Sequence, residues 1–263
     1  MDGPIYLTEQ IRRMEQAEAD ARPPLMERAG AAAAELAARL VSERSKDVLV
    51  LAGPGNNGGD ARIVAERLKE KFFRVTVATC VEEIPQAAWG LVVDGLFGIG
   101  LARDVGGEHA KLVGYANRQS CPVLALDVPS GIAADSGRVL GCAVRASHTI
   151  TFIALKPGLL TLDGPDHCGE IAVYELGLDV QRALPASAWV ADPAVFREVL
   201  RPRPRNFHKG MAGTVGVLGG ARGMLGAALL AGRAAVKLGA GRVRVGFLAE
   251  DYPGVDPVAA EMM

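Results

Sequence analysis

Leu49-Val50-Leu51-Ala52-Gly53-Pro54-Gly55-Asn56-Asn57-Gly58-Gly59-Asp60 is the stretch on which the fold turns. The apolar run Val48 to Ala52, bounded by glycine and proline, reads as a strand buried on both faces of a parallel sheet. The run after it has helical spacing, and Asp60 is placed to cap a helix from Ala61 to Lys71. The loop between them therefore sits at the carboxyl end of a strand, where open α/β sheets bind ligands. Its glycines let the backbone take φ > 0 and approach a ligand closely. Backbone N–H groups at such a helix start favour a phosphate or another anion. Asn56 and Asn57 add neutral carbonyl oxygens, which suit a weakly hydrated monovalent cation or a polar ring. The same shape also serves as a plain tight turn, so the loop needs neighbours to become a site.

Those neighbours follow in series. Arg74 to Thr79 alternates with β-branched residues and reads as the next strand. It ends in Ala78-Thr79-Cys80, without the acidic residue that a dinucleotide oxidoreductase uses for the adenosine ribose. Leu91-Val92-Val93-Asp94 is a third strand, closed by a carboxylate and followed by a glycine-rich loop from Gly95 to Asp104. A helix from about Glu108 to Arg118 leads to a fourth strand, Val123 to Asp127, and a rigid turn at Val128-Pro129-Ser130-Gly131. Asp94 and Asp127 could each merely cap local backbone. With Asn57, however, three strand ends present polar side chains along one sheet edge, and that points to a site. Further strands run from His148 to Ile153 and from Glu170 to Leu176. Lys156 reads as a solvated loop lysine or as a cation aimed at a ligand phosphate, and His148 as a structural histidine.

Upstream, Thr8 is placed to cap a helix to about Ala21, stopped by Pro23-Pro24. A second helix from Leu25 to about Ser45 carries Leu25, Ala29, Ala32, Ala33, Leu36 and Leu40 on one stripe, which packs on the sheet. Downstream, Arg201-Pro202-Arg203-Pro204-Arg205 reads as a stiff linker, giving units 1–200 and 210–263 joined by 201–209. The second unit is one β-α-β: a strand from Thr214 to Leu218, a helix from Met224 to Leu238 and a strand from Arg242 to Phe247. It cannot cover both faces of a parallel sheet, so its edges should dock on the first unit or on a second copy, as a homo-oligomer, or remain mobile.

The 263 residues are 49% hydrophobic and 22% charged, as expected of a packed α/β core rather than a disordered chain. Lysine plus arginine (29) balances aspartate plus glutamate (30), which gives no basic face for nucleic acid. No apolar run reaches bilayer length. The four cysteines are scattered without a Cys-x-x-Cys pair, and a reducing cytoplasm is expected.

With these residues assembled, the chain resembles the YjeF N-terminal family, the NAD(P)H-hydrate epimerases, over roughly residues 8 to 180. The motifs that carry the resemblance are Leu25-Met26-Glu27-Arg28-Ala29-Gly30, Gly55 to Asp60, Asp94 to Leu101, Asp127-Val128-Pro129-Ser130-Gly131 and Ala154-Leu155-Lys156-Pro157-Gly158. His208 to Gly241 resembles the opening of the ADP/ATP-dependent NAD(P)H-hydrate dehydratase, whose later nucleotide loops do not follow here. The resemblance implies a Rossmann-like three-layer sandwich with a mostly parallel sheet and a partial ribokinase-like unit. It implies epimerisation at C6 of hydrated NADH or NADPH, with no dehydratase activity from this chain. It places potassium on Asn57, Asp94 and Ser130. Substrate contacts carry over to Asn56, Asn57, Gly58, Gly59 and Asp60, to Gly98, Ile99, Gly100, Leu101, Ala102, Arg103 and Asp104, and to Asp127, with Lys156 added as a substrate cation.

The chemistry implied needs an acid for the departing C6 hydroxyl and a base for the returning water, and Asp127 is the candidate for both. Three positions depart from the family pattern: Ala61 for a glycine, Ile99 for a threonine and Ala133 for an aspartate. They leave open a second reading, a nucleotide-binding or scaffolding protein without turnover. An oxidoreductase is a third, disfavoured by the missing ribose acid.

Overall fold

A computed structural model describes residues 3–41, 47–199, 201–252 and 254–263. The chain divides into two compact units, Met1–Asp192 and Pro193–Met263. The first contains β1 (Pro4–Ile5), α1 (Thr8–Ala17), α2 (Leu25–Leu40), β2 (Asp47–Ala52), α3 (Asn56–Glu70), β3 (Arg74–Ala78) and β4 (Leu91–Gly95). It continues with α4 (Gly107–Ala116), β5 (Val123–Leu126), β6 (His148–Phe152), α5 (Gly164–Cys168), β7 (Glu170–Tyr174), α6 (Val180–Ala183) and β8 (Ala188–Trp189). The main sheet has six strands in the order β3-β2-β4-β5-β6-β7, and all five pairings are parallel.

The apolar strands explain the layering. Val48, Val50 and Ala52 of β2 join a core with residues of α2 and α3, whereas Leu49 and Leu51 join Leu112, Val113 and Ala116 of α4 on the opposite side. Successive side chains of a strand point to opposite faces, so a run apolar at every position is covered twice. A short antiparallel pair, β1 with β8, lies outside this sheet and was not foreseen.

Several expected boundaries shift. Helix α3 begins at Asn56, not Ala61, with Gly55 as its N-cap. Asp60 is therefore inside the helix and does not cap it. The Asn-Asn-Gly-Gly segment takes helical dihedrals because the glycines allow the turn to lie against its surroundings. None of Gly53, Gly55, Gly58 and Gly59 has a positive φ. Their role is proximity: a Cβ on Gly53 would lie 1.8 Å from the Leu96 carbonyl oxygen, and one on Gly58 1.9 Å from that of Gly53. Thr8 is not the cap of α1 either. That position is Leu7, and the Thr8 N–H and hydroxyl both donate to Asp135 Oδ1, at 2.7 and 2.9 Å. Helix α1 closes at Ala17, four residues before Ala21. Helix α2 closes at Leu40, and the expected extension over 42–45 lies outside the described residues.

The second unit holds β9 (Thr214–Gly219), α7 (Leu225–Lys237) and β10 (Arg242–Phe247), with β9 and β10 paired in parallel. The edge of β10 away from β9 is partly covered by the last residue. Met263 N donates to Val243 O at 2.9 Å and Val245 N donates to Met263 O at 2.6 Å. Met262 and Ala259 pack on Val243 beneath it. Within the expected linker, Arg203 stacks over Phe207 and donates to Gly239 O at 2.7 Å, so this stretch packs within the second unit.

Candidate active site at the carboxyl edge of the sheet

Parallel strands all deliver their carboxyl ends to one edge, and there the polar strand-end residues of the first unit collect. A cavity of about 290 Å³ opens at this edge. Its walls include Arg12 and Glu15 from α1, Asn56, Asn57 and Asp60 from α3, the Gly98–Leu101 loop, and Asp127. An adjoining hollow of about 240 Å³ shares Glu15, Asn56, Asp60 and Phe152 with it and adds the apolar Leu25, Met26 and Ala29.

Asp127 follows β5 in the left-handed region, at φ +67°. Aspartate tolerates this conformation better than most residues, and it aims the side chain off the strand axis. The residue is 9% exposed, and its carboxylate is held at both oxygens. Lys156 Nζ donates to Oδ1 at 2.5 Å and the Ile99 N–H donates to Oδ2 at 3.1 Å. A Cβ on Gly98 would lie 2.9 Å from Asp127 Oδ2 and 3.4 Å from Asn57 Oδ1, so both side chains converge on the one loop position that lacks a side chain.

Asn57 is 7% exposed, and neither its Oδ1 nor its Nδ2 has a hydrogen-bond partner. An unpaired buried amide is costly, so it is a place prepared for a ligand. Behind it Asp94 is fully buried. Its Oδ1 accepts from Ser130 Oγ at 2.6 Å and Leu96 N at 3.3 Å, and its Oδ2 accepts from Ser130 N at 2.9 Å. A carboxylate offers about four lone-pair sites, so three donors leave one on Oδ2. Amide, carboxylate and hydroxyl oxygens are hard donors of the kind a monovalent cation takes, but of the three only Asn57 lines the cavity, Asp94 and Ser130 being buried away from it. Among the described residues no three of His, Cys, Asp and Glu form a metal cluster.

Electrostatics separates the acids. Burial, together with the Asp127 and Glu15 charges, pushes the Asp60 carboxyl up to about 8. Burial pushes Asp94 up to about 6 against its three hydrogen bonds. Glu15 is raised by burial and then by Asp127, with Lys156 and Arg12 opposing. Near neutral pH the cavity thus holds a protonated acid, Asp60, beside a salt-bridged aspartate.

A family model described as "YjeF-related protein N-terminus" matches residues 23–89 and 82–158. The "NAD(P)H-hydrate epimerase" of Bordetella bronchiseptica is 40% identical over 66% of this chain and 88% of that protein. The chain belongs to the YjeF-related N-terminal family. The "Bifunctional NAD(P)H-hydrate repair enzyme Nnr" of Escherichia coli K12 is 34% identical, over 92% of this chain and 53% of its own length. That of Coxiella burnetii is 36% identical, over 98% and 59%. The chain thus spans about half the length of these bifunctional relatives. The crystal structure of yeast YNL200c superposes with a TM-score of 0.52 at 19% identity, covering 64% of this chain and 86% of that one, and so shares the fold.

Within this YjeF-related fold the expected residues fall into three groups. Asn56, Asn57, Asp60, Gly98, Ile99, Gly100, Leu101 and Asp127 line the cavity. Gly58 and Gly59 are packed beneath it, and Ala102, Arg103 and Asp104 lie on the exposed continuation of the loop. Lys156 corrects the expectation most. It is neither solvated nor aimed at a phosphate, but 0% exposed, with Nζ bonded to Asp127, Thr151 Oγ1 (2.8 Å) and the Phe152 carbonyl (2.7 Å).

Two of the three departures from the family pattern, Ala61 and Ile99, have a visible place in the structure. The Ala61 methyl fills the space that a Cβ on Gly95 would enter, 2.4 Å away, and Ile99 serves Asp127 through its backbone N–H. Sequence reasoning missed Arg12 and Glu15. The available signal was that Glu15 stands four residues after the buried Ile11 and next to the buried Met14, on the inward side of α1.

Proposed function

We propose that this chain is an isomerase of metabolite repair, interconverting the C6 epimers of hydrated NADH or NADPH. The names of its relatives support the substrate class, and the pairing of a salt-bridged Asp127 with a protonated Asp60 across one cavity supports the chemistry. The ring nitrogen's lone pair expels the C6 hydroxyl while an acid protonates the departing oxygen, and the C6–O bond breaks to give a planar iminium and water. Water then adds from either face and gives its proton to a base. Asp60 supplies the first proton and Asp127 accepts the last. A proton passed back from Asp127 to Asp60 through the cavity restores the starting state. The amides at the start of α3 offer donors for the substrate's phosphate. The apolar wall of Leu25, Met26 and Ala29 in the adjoining hollow covers one face of a bound ring.

Asn57, Asp94 and Ser130 would hold a potassium ion, which when bound supplies positive charge beside the anionic substrate. Chromatographic assay of an NAD(P)HX mixture depleted of one epimer tests the proposal. Wild-type protein should restore the equilibrium ratio, and Asp127→Asn should slow this by roughly 100-fold or more. Unchanged turnover in that variant removes Asp127 from the reaction. Asn57→Ala should weaken substrate binding and potassium dependence together. Equal activity in potassium and in tetramethylammonium would argue against the ion.

A further inference from the structure

Lys156 has no place in the chemistry above, yet it is completely buried. A lysine ammonium carries three N–H donors. Here each has a protein acceptor: Asp127 Oδ1 at 2.5 Å, Thr151 Oγ1 at 2.8 Å and Phe152 O at 2.7 Å. Nothing is left for a substrate, and a substrate could not reach it, because the side chain is 0% exposed. Burying an ammonium is expensive unless it is paired and fully hydrogen-bonded. That cost has been met at Asp127, whose carboxylate lines the cavity.

The backbone is bent to make this possible. Asp127 and Ile153 both stand in the left-handed region, at φ +67° and +69°, one just past β5 and the other just past β6. For a β-branched isoleucine this conformation is strongly unfavourable. Such strain persists only where surrounding contacts over-determine it, and it concentrates at functional sites. Ile153 N donates to Tyr174 O at 2.8 Å and Asp127 N to Ile150 O at 2.7 Å, which fixes both reversals. The first reversal aims Asp127 at the cavity, and the second lets the chain return so that Lys156 meets Asp127 from below.

We propose that Lys156 is a positioning residue, which locks one oxygen of Asp127 from inside the protein so that the other is held toward the Gly98–Ile99 loop of the cavity, and that Thr151 positions Lys156 in turn. The role in turnover rests on the epimerase reading; the locking of Asp127 does not. Thr151 is fully buried on β6. Its neighbour on the same face, Thr149, spends its hydroxyl on Cys168 O at 2.7 Å, so only Thr151 serves the lysine. The titratable and charged groups around Asp127 are Glu15 and Arg12 from α1, Asp60 from α3 and Lys156 from beyond β6. Lys156 is the only one of these that touches it through a hydrogen bond among the described residues.

Two measurements on Lys156→Met, Thr151→Val and Thr151→Ser test this. In steady-state epimerisation, Lys156→Met should lower kcat about 100-fold with KM within threefold. Thr151→Val should lower kcat about tenfold, and Thr151→Ser, which keeps the hydroxyl, should restore it to within twofold. Independently of activity, hydrogen exchange at the Ile99 amide should quicken at least tenfold in Lys156→Met and severalfold in Thr151→Val, while amides of β2 and β4 keep their rates. If Lys156→Met does not fold, the Thr151 pair decides. Unchanged Ile99 exchange and unchanged kcat in folded variants overturn the proposal. A wild-type protein inactive on NAD(P)HX whose Ile99 exchange still responds would sink the epimerase reading and leave the lock standing.

Discussion

Two of the glycine-rich strand-to-helix turns, Gly53 to Gly59 after β2 and Gly219 to Gly223 after β9, use glycine in opposite ways. In the first, no glycine is left-handed, and an added Cβ on Gly53 or Gly58 would strike backbone within 2 Å. In the second, Gly220 and Gly223 have φ of +73° and +81°, and around Gly219 and Gly223 an added Cβ would meet nothing within 4 Å. The first turn is pressed against the Leu96 loop, which brings Asn57 and Asp127 to one point. The second only reverses the chain. A glycine-rich turn becomes a site when its glycines permit contact with other polar strand ends, and the string of letters alone does not separate the two uses.

Methyl groups placed on each turn would expose the difference most sharply. Gly53→Ala should cost the first unit about 4 kcal/mol or more, or leave it unfolded, since backbone atoms of β2 and the loop after β4 must part. Chemical denaturation followed by tryptophan fluorescence checks this, because Trp89 and Trp189 both lie in the first unit. Gly219→Ala should change the exchange protection of β9 and β10 by no more than about 0.5 kcal/mol. Tolerance of Gly53→Ala would break the comparison at its root.

The same contrast marks how far the sequence could be read. Uninterrupted apolar runs, Val48–Ala52, Leu91–Val93 and Val123–Leu126, identified buried parallel strands because burial on both faces erases alternation. Their order along the chain placed Asn57, Asp94 and Asp127 at one edge. What stayed hidden depended on tertiary contact. Lysine is ordinarily solvated, so nothing local announces that Lys156 folds back under Asp127. Gly53 and Gly58 are needed by atoms more than 40 residues away or across the turn itself. Asp60 looked like a cap because helix starts are marked by such residues, whereas here glycine and asparagine enter the helix first.

A second test compares the buried acids of the two units. Asp60 keeps its proton up to about pH 8 when folded, while an unfolded aspartate releases it near 4. Between those values the native state binds more protons, so this residue makes stability fall as pH rises. Asp60→Asn should flatten that fall, leaving the variant more stable than wild type at pH 8 by on the order of 3 kcal/mol, and about equal to it at pH 4. Thermal melts of the first unit across pH 4 to 8 read this directly. The same variant should lose turnover, so gain of stability with loss of activity would mark Asp60 as an acid held in the cavity for function. A difference that shrinks toward pH 8 would show that the cavity is well hydrated around Asp60.

The buried acid of the second unit should show the smallest effect and the opposite sign. Asp256 accepts from Arg233 Nε and Nη2, both at 2.7 Å, and from Val258 N at 3.0 Å. The guanidinium holds its carboxyl down at about 2, where Asp60 is pushed up. A depressed carboxyl contributes stability that is complete above about pH 4 and is lost as pH falls toward 2. Exchange protection in α7 and β10 should therefore be constant from pH 7 to 4 and decline below it, in the range where loss of the Asp60 charge no longer matters to the first unit. In Asp256→Asn the protection should be lower throughout and should lose that acid decline. An unaltered acid decline in the variant would mean that the fork between Arg233 and Asp256 does not hold α7 to the chain end, and that the covering of the β10 edge by Met263 rests on apolar contact alone.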